Sequence, residues 1–79
     1  MERLKSVVVT GGTVRLGKEI ADFLENEGWR VVRSSHRMES GAQIVADLSN
    51  ADGADKLFDE ACRILGCIPD ALVNSILLQ

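Results

Sequence analysis

The sequence predicts an α/β domain built on a parallel sheet of about four strands. Three observations predict it. Val7-Val8-Val9-Thr10 runs directly into Gly11-Gly12, and a helical pattern begins at once. Short β-branched runs then alternate with amphipathic stretches to the end of the chain, an order that implies right-handed crossovers between parallel strands. At 79 residues the chain is long enough for one domain, residues 1–79, and not for two.

Each element has its own signal. Residues 5–10 read as a strand, since Ser6-Val7-Val8-Val9 is continuous rather than alternating, as in a strand buried on both faces. Residues 13–27 read as a helix, because Val14, Gly17, Ile20, Ala21 and Leu24 recur at three- and four-residue steps. Gly28 is its stop. Residues 30–34 are a second strand around Val31-Val32, and the polar residues 35–41 hold a turn or one helical turn. Gln43-Ile44-Val45-Ala46 is a third strand, closed by Asp47-Leu48. Residues 51–65 make the second long helix, with Ala54, Leu57, Phe58, Ala61, Cys62 and Leu65 as its apolar face. Gly66 ends it, Pro69 sits in the connection, and Ala71-Leu72-Val73 opens a fourth strand that runs to the C-terminus. In a doubly wound sheet the spatial order is 3-2-1-4, and ligands sit at the carboxyl ends of strands 1 and 4, where the order reverses.

Composition narrows the function. The chain is 46% hydrophobic and 27% charged with a formal net charge of -3, which disfavours a nucleic-acid partner. Uninterrupted apolar runs are four residues or fewer, far below the ~20 needed to span a membrane. Met1-Glu2-Arg3-Leu4-Lys5 has no apolar signal region, so a cytoplasmic setting is expected. Cys62 and Cys67 lack the CxxC spacing and read as packed, reduced thiols. Trp29 reads as packing beside the helix stop. Asp52, Asp55, Asp59 and Glu60 read as the wet face of the second helix, with no His or Cys to make a metal site.

The Gly-rich turn carries the chemistry. Gly11 and Gly12 let the backbone approach a phosphate, and the first-turn amides after Thr13 and Val14 point at it. Gly17 allows close packing of the helix on the sheet. Arg15 opposes the helix dipole by about 0.3–1 kcal/mol unless an anion is bound.

Thr10-Gly11-Gly12-Thr13-Val14-Arg15-Leu16-Gly17 resembles the TGxxxGxG fingerprint of the short-chain dehydrogenase/reductase family, in the TGxxxRLG form of its pteridine-reductase-like branch. Ser35-His36-Arg37 after strand 2, Asp47-Leu48 after strand 3 and Leu72-Val73-Asn74-Ser75 in strand 4 are similar to further family motifs in order. The resemblance implies the amino-terminal, cofactor-binding half of a Rossmann-like three-layer fold, truncated relative to the full family fold. It places Gly11, Gly12, Thr13, Val14, Arg15, Leu16, Gly17, Ser35, His36, Arg37, Asp47, Leu48 and Asn74 at the cofactor. Asp47 would meet the adenine amino group, Leu48 the ring, and Asn74 the adenosine side. The family's catalytic Ser and Tyr-x-x-x-Lys have no counterpart, since the chain contains no tyrosine. The resemblance therefore implies an NADP(H)-binding fragment of an oxidoreductase that is not catalytic alone. A stand-alone dinucleotide-binding or assembly module is the alternative.

Cofactor choice follows from charge. An Asp or Glu about 20 residues past the glycines selects NAD through the ribose 2′-OH. No acid occurs from Trp29 to Met38, whereas Arg33, Ser34, Ser35, His36 and Arg37 supply donors. A 2′-phosphate suits that set, with Arg37 its best partner, so NADP(H) is expected over NAD(H). Strand 4 has no Lys or Pro after Asp70 to block pairing, so a homo-oligomer through about residues 71–78 is expected.

Overall fold

The computed structural model describes residues 4–11, 13, 15–36 and 41–75. Its elements are β1 (Ser6–Thr10), α1 (Arg15–Asn26), β2 (Arg30–Ser35), β3 (Ile44–Val45), α2 (Ala51–Leu65) and β4 (Ala71–Asn74). The four strands form one parallel sheet in the order β3-β2-β1-β4. This is the expected Rossmann-like α/β architecture.

The continuous apolar run of β1 is explained by its place. Val8 pairs with Val32 on one side and Leu72 on the other, and all five β1 residues are buried. Alternation splits the strand between two cores. Val7 and Val9 join Ala21 of α1, with Leu24, Trp29, Val31, Ala71 and Val73 packed against them. Val8 joins Val32, Ile44 and Ala46 under Leu57, Ala61 and Leu65 of α2. One helix therefore covers each face of the sheet. Trp29 packs as expected, with the Lys5 ammonium 5.7 Å from its ring centroid.

Local chemistry sets the ends. Asn50 caps α2 by accepting the Gly53 N–H at 2.8 Å. Gly66, at φ +74°, closes it by donating to the Cys62 carbonyl. The entry to β4 is clamped to the start of β1: the Ser6 N–H donates to Asp70 Oδ2 at 2.8 Å, and the Asp70 N–H donates to the Ser6 carbonyl at 2.9 Å.

Two expectations need correction. Ala54 and Phe58 of α2 are exposed, not part of the buried face. α2 lies over β2 and β3, so Gly53, Leu57, Ala61 and Leu65 form the contact stripe, and Ala54 and Phe58 look past it toward β4. Strand β4 ends at Asn74, with buried Ser75 turning away; its expected continuation through residues 76–79 lies outside the described residues.

An ion-pair cluster holds α1 to β2. Asp22 accepts from Lys18 at 2.9 Å and from Arg33 at 2.5 Å, and Arg33 also meets Glu25. Lys18 first, then Arg33, hold the Asp22 carboxyl below its ordinary value. A depressed folded value means that this contribution is present above the unfolded value and lost as pH falls through the folded one. Asp22→Asn is expected to shrink the drop in Tm between pH 5 and pH 3, read by circular dichroism.

Candidate functional site

At the carboxyl edge of the sheet, β1 hands over to α1 through a turn whose backbone favours glycine. Gly11 has φ +67°, and its N–H donates to the Ser34 carbonyl at 2.9 Å, which ties the turn to β2. A β-carbon on Gly17 would overlap the Gly11 carbonyl oxygen and the Ser75 hydroxyl. The first turn of α1 therefore sits directly on the strand turn. That turn carries no acidic residue, so its amides present unopposed positive potential.

Arg15 opens α1 with φ +50°, the left-handed region. This is the position where the fingerprint has its middle glycine, and the backbone shows why glycine is common there. Arg15 and Leu16 are exposed. Thr13 is half-buried, and the loop before β3 approaches it, since a β-carbon on Gly41 would lie 3.8 Å from Thr13 Cγ2.

The other expected residues gather at the same edge. Ser35 is the last residue of β2, buried, and its carbonyl accepts the Ala46 N–H at 2.9 Å. His36 follows it, exposed. The Ser49 hydroxyl, then the Ser49 N–H that Asp47 Oδ1 accepts at 2.9 Å, hold the Asp47 carboxyl below its ordinary value, with His36 a smaller cause. Asp47 is thus an exposed carboxylate, held outward. Leu48 is half-buried against the α2 core. Asn74 ends β4, and its Oδ1 accepts from the Thr10 hydroxyl at 2.8 Å. Gly12, Val14 and Arg37 lie outside the described residues.

One residue of the basic set is committed elsewhere. The Arg33 side chain is only 14% exposed and lies against Asp22 and Glu25 of α1. Strand alternation sends it to the helix, away from any group bound beyond Ser35.

Three residues beyond those expected at the cofactor shape the site. Thr10 and Ser75 tie the end of β1 to the end of β4: the Thr10 hydroxyl donates to Asn74, and the Ser75 hydroxyl donates to the Thr10 carbonyl. Ser75 is fully buried under Gly17. Gly53 is the third. A β-carbon there would collide with the Asp47 carbonyl oxygen, so α2 starts directly on the backbone that aims Asp47. Its sequence signal is a glycine inside a helical pattern, in the first turn of α2.

The Gly11 turn, the acid-free start of α1, Asp47 and Asn74 thus meet at one edge of the sheet, with Asp47 and Asn74 on either side of strand 1. No family model matches the chain, and no curated protein matches it. Solved structures do. The chain is similar to the 3-alpha-hydroxysteroid dehydrogenase of Pseudomonas sp. B-0831, solved in complex with NADH, at 24% identity and TM-score 0.73, over 86% of this chain and 26% of that one. It is also similar to the ligand-free aldohexose dehydrogenase of Thermoplasma acidophilum, at 31% identity and TM-score 0.74, over 91% of this chain and 29% of that one. The chain thus spans under a third of the length of either.

Proposed function

Given that its structural neighbours are dehydrogenases of the short-chain dehydrogenase/reductase family, we propose that this chain is the NADP(H)-binding, amino-terminal part of such an oxidoreductase, akin to the pteridine-reductase-like branch. One observation carries the reading. Gly17 seats the acid-free start of α1 on the Gly11 turn, at the sheet edge where Asp47 and Asn74 also end. A dinucleotide when bound supplies a hydride; these residues would hold its pyrophosphate and adenosine. No tyrosine is present in the 79 residues, so the chain alone is not expected to turn over a carbonyl substrate.

The preference for NADP(H) rests on the charge after β2. Ser35, His36 and Arg37 offer donors and no acid, and with Arg33 paired to α1, Arg37 is left as the arginine of this set for a 2′-phosphate. Titration calorimetry with NADP+ and NAD+ tests this. NADP+ is expected to bind about tenfold tighter or more, since a charge-assisted hydrogen bond contributes about 1.5–3 kcal/mol. Arg37→Asp should erase that ratio. Equal affinities in the wild type would remove the 2′-phosphate assignment.

A homo-oligomer through β4 belongs to the same proposal. The strand pairs only with β1 among the described residues, and Leu72 at its centre is exposed, an edge open to strand pairing.

A further inference from the structure

Strand β4 is an edge of the sheet among the described residues, and the backbone of β1 determines which groups that edge offers. The Arg30 N–H donates to the Lys5 carbonyl, and the Gly11 N–H donates to the Ser34 carbonyl. Odd-numbered residues along β1 therefore turn their backbone groups toward β2, and even-numbered ones toward β4. Val8 lies opposite Leu72. In a parallel ladder Val8 then bonds the two neighbours of Leu72, which are Ala71 and Val73. The N–H and C=O of Leu72 face outward, away from β1. The side chains follow the same alternation. Leu72 is 63% exposed on the α2 face, and the exposed Asp70 and Asn74 flank it there. Ala71 and Val73 pack on the α1 face.

We propose that β4 pairs antiparallel with β4 of a second copy about a two-fold axis at Leu72, which brings Asp70 of that copy beside Asn74 at the edge of the dinucleotide site. This deepens the oligomer proposed above, and its bearing on the dinucleotide rests on that reading. Self-complementarity selects the occupant. A two-fold contact uses the same surface on both copies, and two copies of one strand meet that condition in one sheet only when antiparallel. With Leu72 at the axis, the outward N–H and C=O of each Leu72 bond those of the other. The same register sets Ala71 against Val73, small against large, and Asp70 against Asn74, a carboxylate against an amide. A slip of the axis to Ala71 or Val73 would instead set Leu72 against Asp70 or Asn74, without an apolar partner. No Lys or Pro occurs in β4 to block the pairing. Asn74 also accepts the Thr10 hydroxyl, so the second copy's carboxylate arrives next to the strand that leads into the Gly11 turn.

Sedimentation velocity on the full chain is expected to show a dimer at micromolar concentration. Leu72→Lys sets two ammonium groups against each other at the axis and should loosen that dimer about tenfold or more, with the fold retained by circular dichroism because Leu72 is exposed. The register is read with cysteines in a chain carrying Cys62→Ser and Cys67→Ser. Ala71→Cys and Val73→Cys chains, mixed under a mild oxidant, are expected to give a disulfide-linked mixed dimer. Residues opposite each other in a non-hydrogen-bonded pair hold their Cα atoms about 4.5 Å apart, within the range of about 4.4–6.8 Å that a disulfide spans. Neither chain should link to itself, since like positions then lie diagonally, about 7–8 Å apart. A monomer, a dimer that Leu72→Lys leaves intact, or linking of either chain to itself in place of the mixed pair overturns the proposal. Calorimetry with NADP+ on the same proteins keeps the two readings separate. A dimer that fails to bind NADP+ would sink the proposed function and leave the pairing intact, and a monomer that binds NADP+ would do the reverse.

Discussion

Gly17→Ala is expected to unfold most of the chain. The added methyl would overlap the Gly11 carbonyl oxygen and the Ser75 hydroxyl together. Neither can yield cheaply. Gly11 is held by its bond to the Ser34 carbonyl, and Ser75 is fully buried and bonded to the Thr10 carbonyl. Helix α1 would have to lift away, and Ala21 would lose its contact with Val7 and Val9. Overpacking of this kind costs about 1–3 kcal/mol or more, and a domain this small rarely holds more than about 3–5 kcal/mol in total. Gly53→Ala should do at least as much from the other layer, by driving α2 off Asp47. Gly28→Ala is the control. Its β-carbon meets nothing within 4 Å, and only its φ of +94° opposes the change, at about 1–2 kcal/mol. Urea unfolding followed by circular dichroism separates the cases. If Gly17→Ala and Gly28→Ala unfold at the same urea concentration, α1 is not seated on the turn in the way described.

The contrast between these glycines shows what the sequence could and could not reveal. Strand order was legible because β-branched runs, helix-period stripes and terminal glycines are local signals, and Gly28 and Gly66 announced their turns without reference to anything distant. Gly53 has no such local explanation, since its reason is the Asp47 backbone of another element. The stripe on α2 was legible as a stripe; which part of it meets the sheet depends on where the helix axis lies, and Ala54 and Phe58 fell on the open side. Arg33 illustrates the same limit in charge. It reads as part of a basic cluster in sequence, yet its strand position turns it toward Asp22 and Glu25. Ser75 closes a motif in the sequence, and only the fold shows that its hydroxyl supports the turn through a bond spanning most of the chain.

Arg15→Gly is expected to move stability and binding in opposite directions. At φ +50° Arg15 occupies a conformation that disfavours a non-glycine residue by about 1–2 kcal/mol, and as a cation in the first turn it opposes the helix dipole by about 0.3–1 kcal/mol. Glycine removes both penalties, against an unfolded-chain entropy of about 0.4–1 kcal/mol. The net gain is about 1 kcal/mol, or roughly 5 °C in Tm for a domain of this size. The arginine's return is the phosphate it would hold, and its loss should weaken NADP+ about tenfold. Thermal scans at increasing NADP+ test both claims at once. Without ligand the variant should melt higher. At a concentration of about 100 times the wild-type dissociation constant, binding stabilises the wild type by about 2.7 kcal/mol and a tenfold weaker variant by about 1.4 kcal/mol. That difference exceeds the intrinsic gain, so the two melting curves should change places. Curves that stay in the same order, with the variant higher throughout, would mean that Arg15 does not touch the phosphate and that the strained backbone at the start of α1 has no binding role.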